Sequence, residues 1–598
     1  MMNYSNQKNE LTIKSIILGV ILSIILSAAN TYLGLFAGMT VSASIPAAIV
    51  SMSVLRVFKN SNIHENNLVQ TSASAGESLA AGVIFTFPAL ILIGYWTNFN
   101  YFEVTKIALI GGILGALFTI PLRKTLIIDQ KLKFPEGIAT SKILKSSKNI
   151  QLSKIILRSS IIGAFTKFFQ AGINLWNSSL NYFFQIKHSI FGFSVDLSPA
   201  LLGVGYIIGL NISILVFVGG VISWLIAIPV YTTLNPLEGN ITELAWSIWD
   251  SKIRFLGVGA MLTGGLWSIL KIIRPIASGI SDSFKYQNNK NQDMPLKYIL
   301  SIFSIIIIPI YTVYSQILLD VPTSLLITLL IIIIAFIFSS IAGYMSGIVG
   351  SSNNPVSGLT IATILLSALF IKYLGFLSDV GIVSSILFGS IICCSSAIAG
   401  DNMQDLKTGY LLNTTPWKQQ VMQIIGTVSS ALTITFILNI LNSAYGIGSV
   451  SLPAPQANLM KVVVEGVFNE DLPWQWIYTG MLLGVLVICL DLIQEKKKSS
   501  FRLPVLALAV GIYLPIGLSS TIFIGGLLSY FANKRNENGI LFSSGLITGE
   551  AIMGILIAIP IFITSNPSWW KIDFLNQINL IGYIVFSWII YSIYKTSK

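Results

Sequence analysis

The chain has 598 residues, 54% of them hydrophobic and only 10% charged, where a soluble domain carries about 25% charge. Its mean hydropathy is +0.78, and apolar runs long enough to cross a bilayer recur from end to end. This excludes a soluble protein, and the absence of alternating ten-residue segments excludes a β-barrel. The net charge of +12 implies no nucleic-acid partner, because the Lys and Arg residues sit in short loops between apolar runs, where they set orientation.

In chain order, the first apolar run follows ten polar residues. Ser27-Ala28-Ala29 resembles a cleavage site, but apolar character continues through Leu33–Gly38, so a retained first helix is expected. Candidate crossings then run roughly 38–58, 70–95, 104–122, 154–176, 253–273, 296–317, 322–344, 355–374, 379–399, 419–441, 473–493, 540–563 and 575–594. Two further segments, 198–231 and 504–531, are each too short for two comfortable crossings. The second is broken by Pro515 and Gly517. Irregular backbone at membrane depth persists only where protein or a water-filled cavity covers it, so both are expected to be broken, re-entrant hairpins of the kind found at transporter sites.

The basic segments 123–158, 274–297, 496–502 and 534–535 contrast with neutral or acidic ones at 232–250 and 442–471. Placing the basic segments inside puts both termini in the cytoplasm of a cell (inner or plasma) membrane protein. No soluble domain is expected, since the longest loops, 124–153 and 442–471, are too short for one. The expected fold is an all-α polytopic membrane protein of about 14–16 transmembrane helices, divided into halves 1–290 and 291–598.

An internal repeat supports the division. Shifted by 306 residues, Leu202–Ser223 meets Leu508–Ser529 without a gap, matching Gly205/Gly511, Ser213/Ser519, Phe217/Phe523, Gly219/Gly525 and Gly220/Gly526 among others. With the second segment returning to a basic inner side and the first lying beside the acidic loop, the repeats are expected to be inverted. A second echo links Gly76-Glu77 to Gly549-Glu550, the only Gly-Glu pairs in the chain.

Glu77 and Glu550 lie inside apolar crossings, where an acid is rare and a functional candidate by default. Gln70, Ser74, Glu77, Ser78 and Ala81 share one helical face. A buried acid can bind and release a proton, so both glutamates are proton-coupling candidates; the alternative is a structural acid that hydrogen-bonds helix ends. Asn353, Asn354 and Ser357 surround a helix start at Pro355, which could take a carboxylate or be a plain turn. Glu136 follows a Pro at a helix start, and Asp401, Asp405 and Lys407 sit at a membrane edge as gating or loop candidates.

Enzyme motifs are missing, with no phosphate-binding GxxxxGK[ST] loop, no HExxH and no paired nucleophile and base, so no catalytic residues are expected. Cys393, Cys394 and Cys489 lack metal or redox spacing. With only His64 and His188 as histidines, no metal site or cofactor is expected.

Six blocks carry a family resemblance: NTYLGLFAGMTVSASIPAAIVSM (30–52), TSASAGESLAAGVIFTFPA (71–89), FPEGIAT (134–140), GSSNNPVSGL (350–359), AGDNMQDLKTGYLLNTTPWKQQ (399–420) and PVLALAVGIYLP (504–515). Spread in order over the whole chain, they make it similar to the bacterial branch of the oligopeptide transporter (OPT) family. The resemblance implies cation-coupled uptake, generally with protons, of small peptides, glutathione-like compounds or metal chelates. The NPG and KIPPR motifs of fungal and plant peptide carriers are absent, as is the acidic N-terminal tail of the plant metal-chelate branch, which leaves the substrate open. A proton-coupled importer of small peptides or peptide-like solutes is favoured over a metal–chelate transporter and over a channel-like pore. Partners are then the solute, protons and membrane lipid, with a homodimer left open. The substrate is expected where the broken segments meet at Gly209, Asn211, Tyr513, Pro515, Gly517 and Ser519, walled by Asn30, Tyr32, Glu77, Asn353 and Asn354.

Overall fold

Inside hydrocarbon a chain must satisfy its backbone polar groups internally, and continuous helices do this within one segment. A computed structural model describes residues 10–38, 40, 42–58, 61–130, 132–145, 150–236, 239–267, 293–351, 356–376, 378–468, 473–499, 501–532, 536–564, 566, 569–570 and 578–598. The first third contains α1 (Ile13–Ala37), α2 (Ser44–Leu55), α3 (Ile63–Thr86), α4 (Pro88–Leu92), α5 (Tyr101–Arg123), α6 (Pro135–Lys145) and α7 (Ile150–Lys167). A two-stranded hairpin follows, β1 (Ser179–Ile186) and β2 (Ser189–Asp196), and then α8 (Pro199–Ile208), α9 (Leu210–Val221), α10 (Ile228–Leu234), α11 (Ile241–Ile248) and α12 over 254–267. Beyond these lie α13 (Leu296–Leu318), α14 (Val321–Val349), α15 (Val356–Tyr373), α16 (Ser378–Leu412), α17 (Pro416–Tyr445), α18 (Pro455–Phe468) and α19 (Trp474–Lys496). The last four are α20 (Val505–Tyr513), α21 (Ile516–Phe531), α22 (Glu537–Thr564) and α23 (Asn579–Ser597). Among the described residues, ten helices are long and apolar enough to span a membrane, and four shorter apolar helices add to them. The protein is an all-α polytopic membrane protein. Its main core lies between α1, α3, α5, α14, α16 and α17.

Local chemistry sets the helix ends. Asn62 caps α3 by accepting from the His64 and Glu65 amides, and Glu65 returns a bond from the Asn62 amide at 3.0 Å. This reciprocal box satisfies donors that a helix start leaves free.

Three local expectations are corrected. The segment at 399–420 is not a loop: α16 runs through Asp401, Asp405 and Lys407 to Leu412, because its polar side chains turn inward to protein partners. The supposed loops 124–153 and 442–471 contain α6 and α18, whose apolar faces are buried. The β-hairpin was not anticipated. Its signal is two aromatic-rich runs about a two-residue turn, Lys187-His188, with Lys187 at φ 56.

The broken segments are interrupted where the sequence places the breaks. α8 ends at Gly209, whose φ of 81 and ψ of 172 suit glycine, and α20 ends before Pro515, which brings no amide to the helix. These two residues are themselves 306 apart. At Gly209 the chain turns sharply enough for the Ser213 hydroxyl to reach the Gly205 carbonyl at 3.4 Å. Beyond the turn, α9 continues through a π-helical turn into α10, giving a candidate span over Leu210–Leu234. The segments also pack on each other, and the matched positions make reciprocal contacts. A Cβ added at Gly205 would collide with the Ile522 carbonyl, and one at its counterpart Gly511 with the Val216 carbonyl. Gly526 abuts Ser213 as Gly220 abuts Ser519. The Phe217 and Phe523 rings stack at 4.7 Å. Along α9 and α21 these pairs run in opposite directions, so a pseudo-two-fold axis near the Phe pair relates antiparallel counterparts, the geometry of an inverted repeat.

Candidate functional site

Two buried polar centres flank α1. In the first, Glu77 projects from α3, accepts a hydrogen bond from Asn30 of α1, and accepts from the Ala43 amide at 3.3 Å at the start of α2. Ser44, next in sequence, touches Ser74 at 3.0 Å and donates to Asp405 at 3.3 Å, and Gln70 also donates to Asp405. Asp401 lies one turn earlier on α16. Glu136, in the first turn of α6, accepts from Ser351, and the neighbouring Gly137 amide donates to Gln404 at 2.9 Å. Glu77 thus faces Asp401, Glu136 and Asp405. Among the described residues no Lys or Arg lies within ion-pair distance of Glu77, Asp401 or Asp405, and one oxygen each of Asp401 and Asp405 has no hydrogen-bond partner. Lys407 turns away, donating to the Leu132 carbonyl at 3.0 Å.

The second centre contains Glu550 of α22. Its carboxylate accepts from the Ser198 hydroxyl at 3.0 Å and from the Ala200 amide at 2.8 Å, at the start of α8. The Lys167 Nζ lies 3.9 Å from Glu550 and 5.5 Å from the centre of the Tyr32 ring. Tyr445 meets Tyr32 edge-on at 6.1 Å and donates to the Gly554 carbonyl at 2.8 Å. At the end of β2, an Asp196 carboxylate oxygen lies against Gly517, at the start of α21.

Asp196 keeps part of its surface open. Burial nevertheless pushes its carboxyl up to about 7, with Lys167 pulling it down and Glu550 pushing it further up. An unfolded Asp titrates near 3.9, so between about pH 4 and 7 the folded chain binds the extra proton and stability falls as pH rises. The melting temperature is therefore expected to fall across this window, and Asp196→Asn to flatten the slope. An unchanged slope in the variant would assign it to other groups.

The two Gly-Glu pairs occupy parallel settings. Gly76 sits where α3 crosses α1 and α17, and Gly549 where α22 crosses α7, each without room for a side chain. Each following glutamate holds the start of a shorter helix. Both acids therefore do bond helix ends, the alternative the sequence left open.

The other expected site residues separate. Asn30, Glu77 and Tyr32 come together around α1, but the two breaks do not meet. Leu210 abuts Gly526 and Ile516 abuts Gly220, so Gly209 and Pro515 sit toward opposite ends of the α9–α21 pair. Each precedes its stacked Phe by eight residues, which puts them roughly 24 Å apart along the helix axes at 1.5 Å per residue. Gly517 meets Asp196, Ser519 packs on Gly220, the Tyr513 ring lies 6.0 Å from Arg254, and Asn211 is exposed. Asn353 and Asn354 lie outside the described residues. Lys167 and Asp196 escaped the sequence reading, since each stands alone beside an apolar run with no local pattern.

Residues 10–561 match the family described as OPT oligopeptide transporter protein. A Haemophilus influenzae protein named "Putative oligopeptide transporter" is 34% identical over 573 residues, covering 87% of this chain and 90% of its own length. A metal-nicotianamine transporter of Arabidopsis thaliana is 26% identical over 617 residues, covering 90% and 89%. An iron-phytosiderophore transporter of Oryza sativa subsp. japonica is 24% identical over 480 residues, covering 73% and 71%.

Proposed function

This chain belongs to the OPT oligopeptide transporter family, and on that premise we propose that it is a secondary active transporter, not an enzyme, importing small peptides or peptide-like solutes together with protons. It works in the cell membrane with both termini in the cytoplasm. The observation that supports proton coupling is the Glu77 centre. Four carboxylates, Glu77, Glu136, Asp401 and Asp405, face one another at the meeting of α2, α3, α6 and α16. Charged groups in a low-dielectric interior need counter-charges or protons, so this centre can take up a proton from one side and release it to the other. Its acids also hold the start of α2, which links protonation to helix position. A paired, mutually packed set of interrupted helices suits alternating access.

A second reading, transport of metal–chelate complexes, is favoured by the named activities of the plant relatives. Reconstitution in liposomes tests both. Peptide is expected to accumulate against its gradient, and the accumulation to collapse when a protonophore dissipates the proton gradient. Downhill flux alone would overturn the coupling, and uptake of metal chelates with no peptide uptake would favour the second reading.

A further inference from the structure

Two helix starts near the Glu550 centre, either of which could draw a carboxylate, are already occupied by the protein's own acids. Glu550 holds the start of α8, and an Asp196 oxygen lies against the start of α21. A negatively charged solute needs a different partner. Lys167 is the one basic side chain among the described residues that reaches this centre. It is 9% exposed, at the end of α7. Its ammonium carries three donors, yet it makes no hydrogen bond among the described residues. Its nearest acid oxygen is the Glu550 one at 3.9 Å, and the faces of Tyr32 and Phe36 lie 5.5 and 5.9 Å away. Its Nζ is not among the fully buried unpartnered atoms of the described residues, so the ammonium stays open to a solute. Asp196 faces the same ammonium from β2 at more than ion-pair distance, and its side chain accepts no hydrogen bond among the described residues. A cation whose one acid partner is 3.9 Å away and a partly open carboxylate therefore lie on either side of a gap beside the Tyr32 ring, with Tyr445 packed behind it.

We propose that this gap is a substrate site for zwitterions, in which Lys167 takes the solute's carboxylate and Asp196 its ammonium. This rests on the peptide reading given above and deepens it: the solute class is a free-ended α-amino acid derivative, selected by its two termini. The aromatic walls contact the solute between its ends and tolerate varied side chains. Glu550 acts as a positioning residue, holding Lys167 and the start of α8 in register.

The test compares trialanine, its C-terminal amide and its N-acetyl form on purified protein. Binding is read as a ligand-induced rise in melting temperature and transport as liposome uptake. A charge-assisted contact of about 1.5–3 kcal/mol corresponds to roughly a 10- to 100-fold preference. Wild type is expected to prefer the free acid over the amide, and the free amine over the acetylated form, by at least about tenfold each. Lys167→Gln is expected to lose only the first preference and Asp196→Asn only the second, with Lys167→Arg retaining the first. If a Gln or Asn variant fails to fold, the wild-type comparison and Lys167→Arg still decide. Wild-type binding that ignores either terminus, or no binding of any of the three, overturns the site. Discriminating binding without transport leaves the site standing and overturns the transport reading instead.

Discussion

Glu77→Gln is expected to keep substrate exchange and abolish uphill accumulation. Glu77 accepts from Asn30 on one oxygen and from the Ala43 amide on the other. Glutamine fits the same space. Its carbonyl can accept from Ala43, and its NH2 can donate to Asn30 once the Asn30 amide turns over. The fold and the start of α2 should therefore survive, while the titrating group is gone. Glu77→Ala is a different experiment, because it strands buried donors at about 1–3 kcal/mol. The measurement is counterflow against protonophore-sensitive accumulation in liposomes. Full accumulation by Glu77→Gln would assign this acid a purely structural role. Glu550→Gln should behave differently, because it removes the nearest acid from buried Lys167. An uncompensated buried charge costs roughly 3–5 kcal/mol, so a loss of melting temperature larger than that of Glu77→Gln is expected, checked by thermal melting in detergent.

Replacing Gly205 or Gly511 with valine is expected to prevent assembly of the folded protein. Each glycine faces backbone on the opposing interrupted helix: the Ile522 carbonyl for Gly205 and the Val216 carbonyl for Gly511. Backbone cannot swing aside as a side-chain end can. Overpacking of a close contact typically costs about 1–3 kcal/mol and at times more, and here the collision involves two helices that also hold each other's partners. Because the two positions are symmetry counterparts, the two variants should lose monodispersity on size-exclusion and melting temperature to a similar degree. A large difference between them would argue against the reciprocal packing. Gly219 and Gly525, facing the Leu508 and Leu202 carbonyls, form a second pair on which the same comparison can be made.

The sequence by itself determined the membrane class, the helical fold, the positions of the two breaks and the match between the two interrupted segments. These are local or additive properties. Apolar run length decides a span, Gly209 supplies a backbone angle that few residues share, Pro515 brings no amide wherever it sits, and a shift of 306 can be read by direct comparison. The two Gly-Glu pairs were visible for the same reason. What the breaks do relative to one another was decided only by the tertiary structure. An antiparallel pair about a two-fold axis carries counterparts away from the axis in opposite directions, so Gly209 and Pro515 had to separate once Phe217 met Phe523. The same holds for charge. Nothing near Lys167 in the sequence marks it off from other lysines at helix ends, since its burial depends on Tyr32 from α1 and Glu550 from α22 arriving beside it. Asp196 takes its character from Gly517, more than 300 residues away, whose lack of a side chain lets the carboxylate rest on a helix start. Asp401 and Asp405 read as the edge of a loop because an acid after an apolar run usually meets water; Asp405 stays helical and inside because α2 and α3 bring the Ser44 hydroxyl and the Gln70 amide to donate to it.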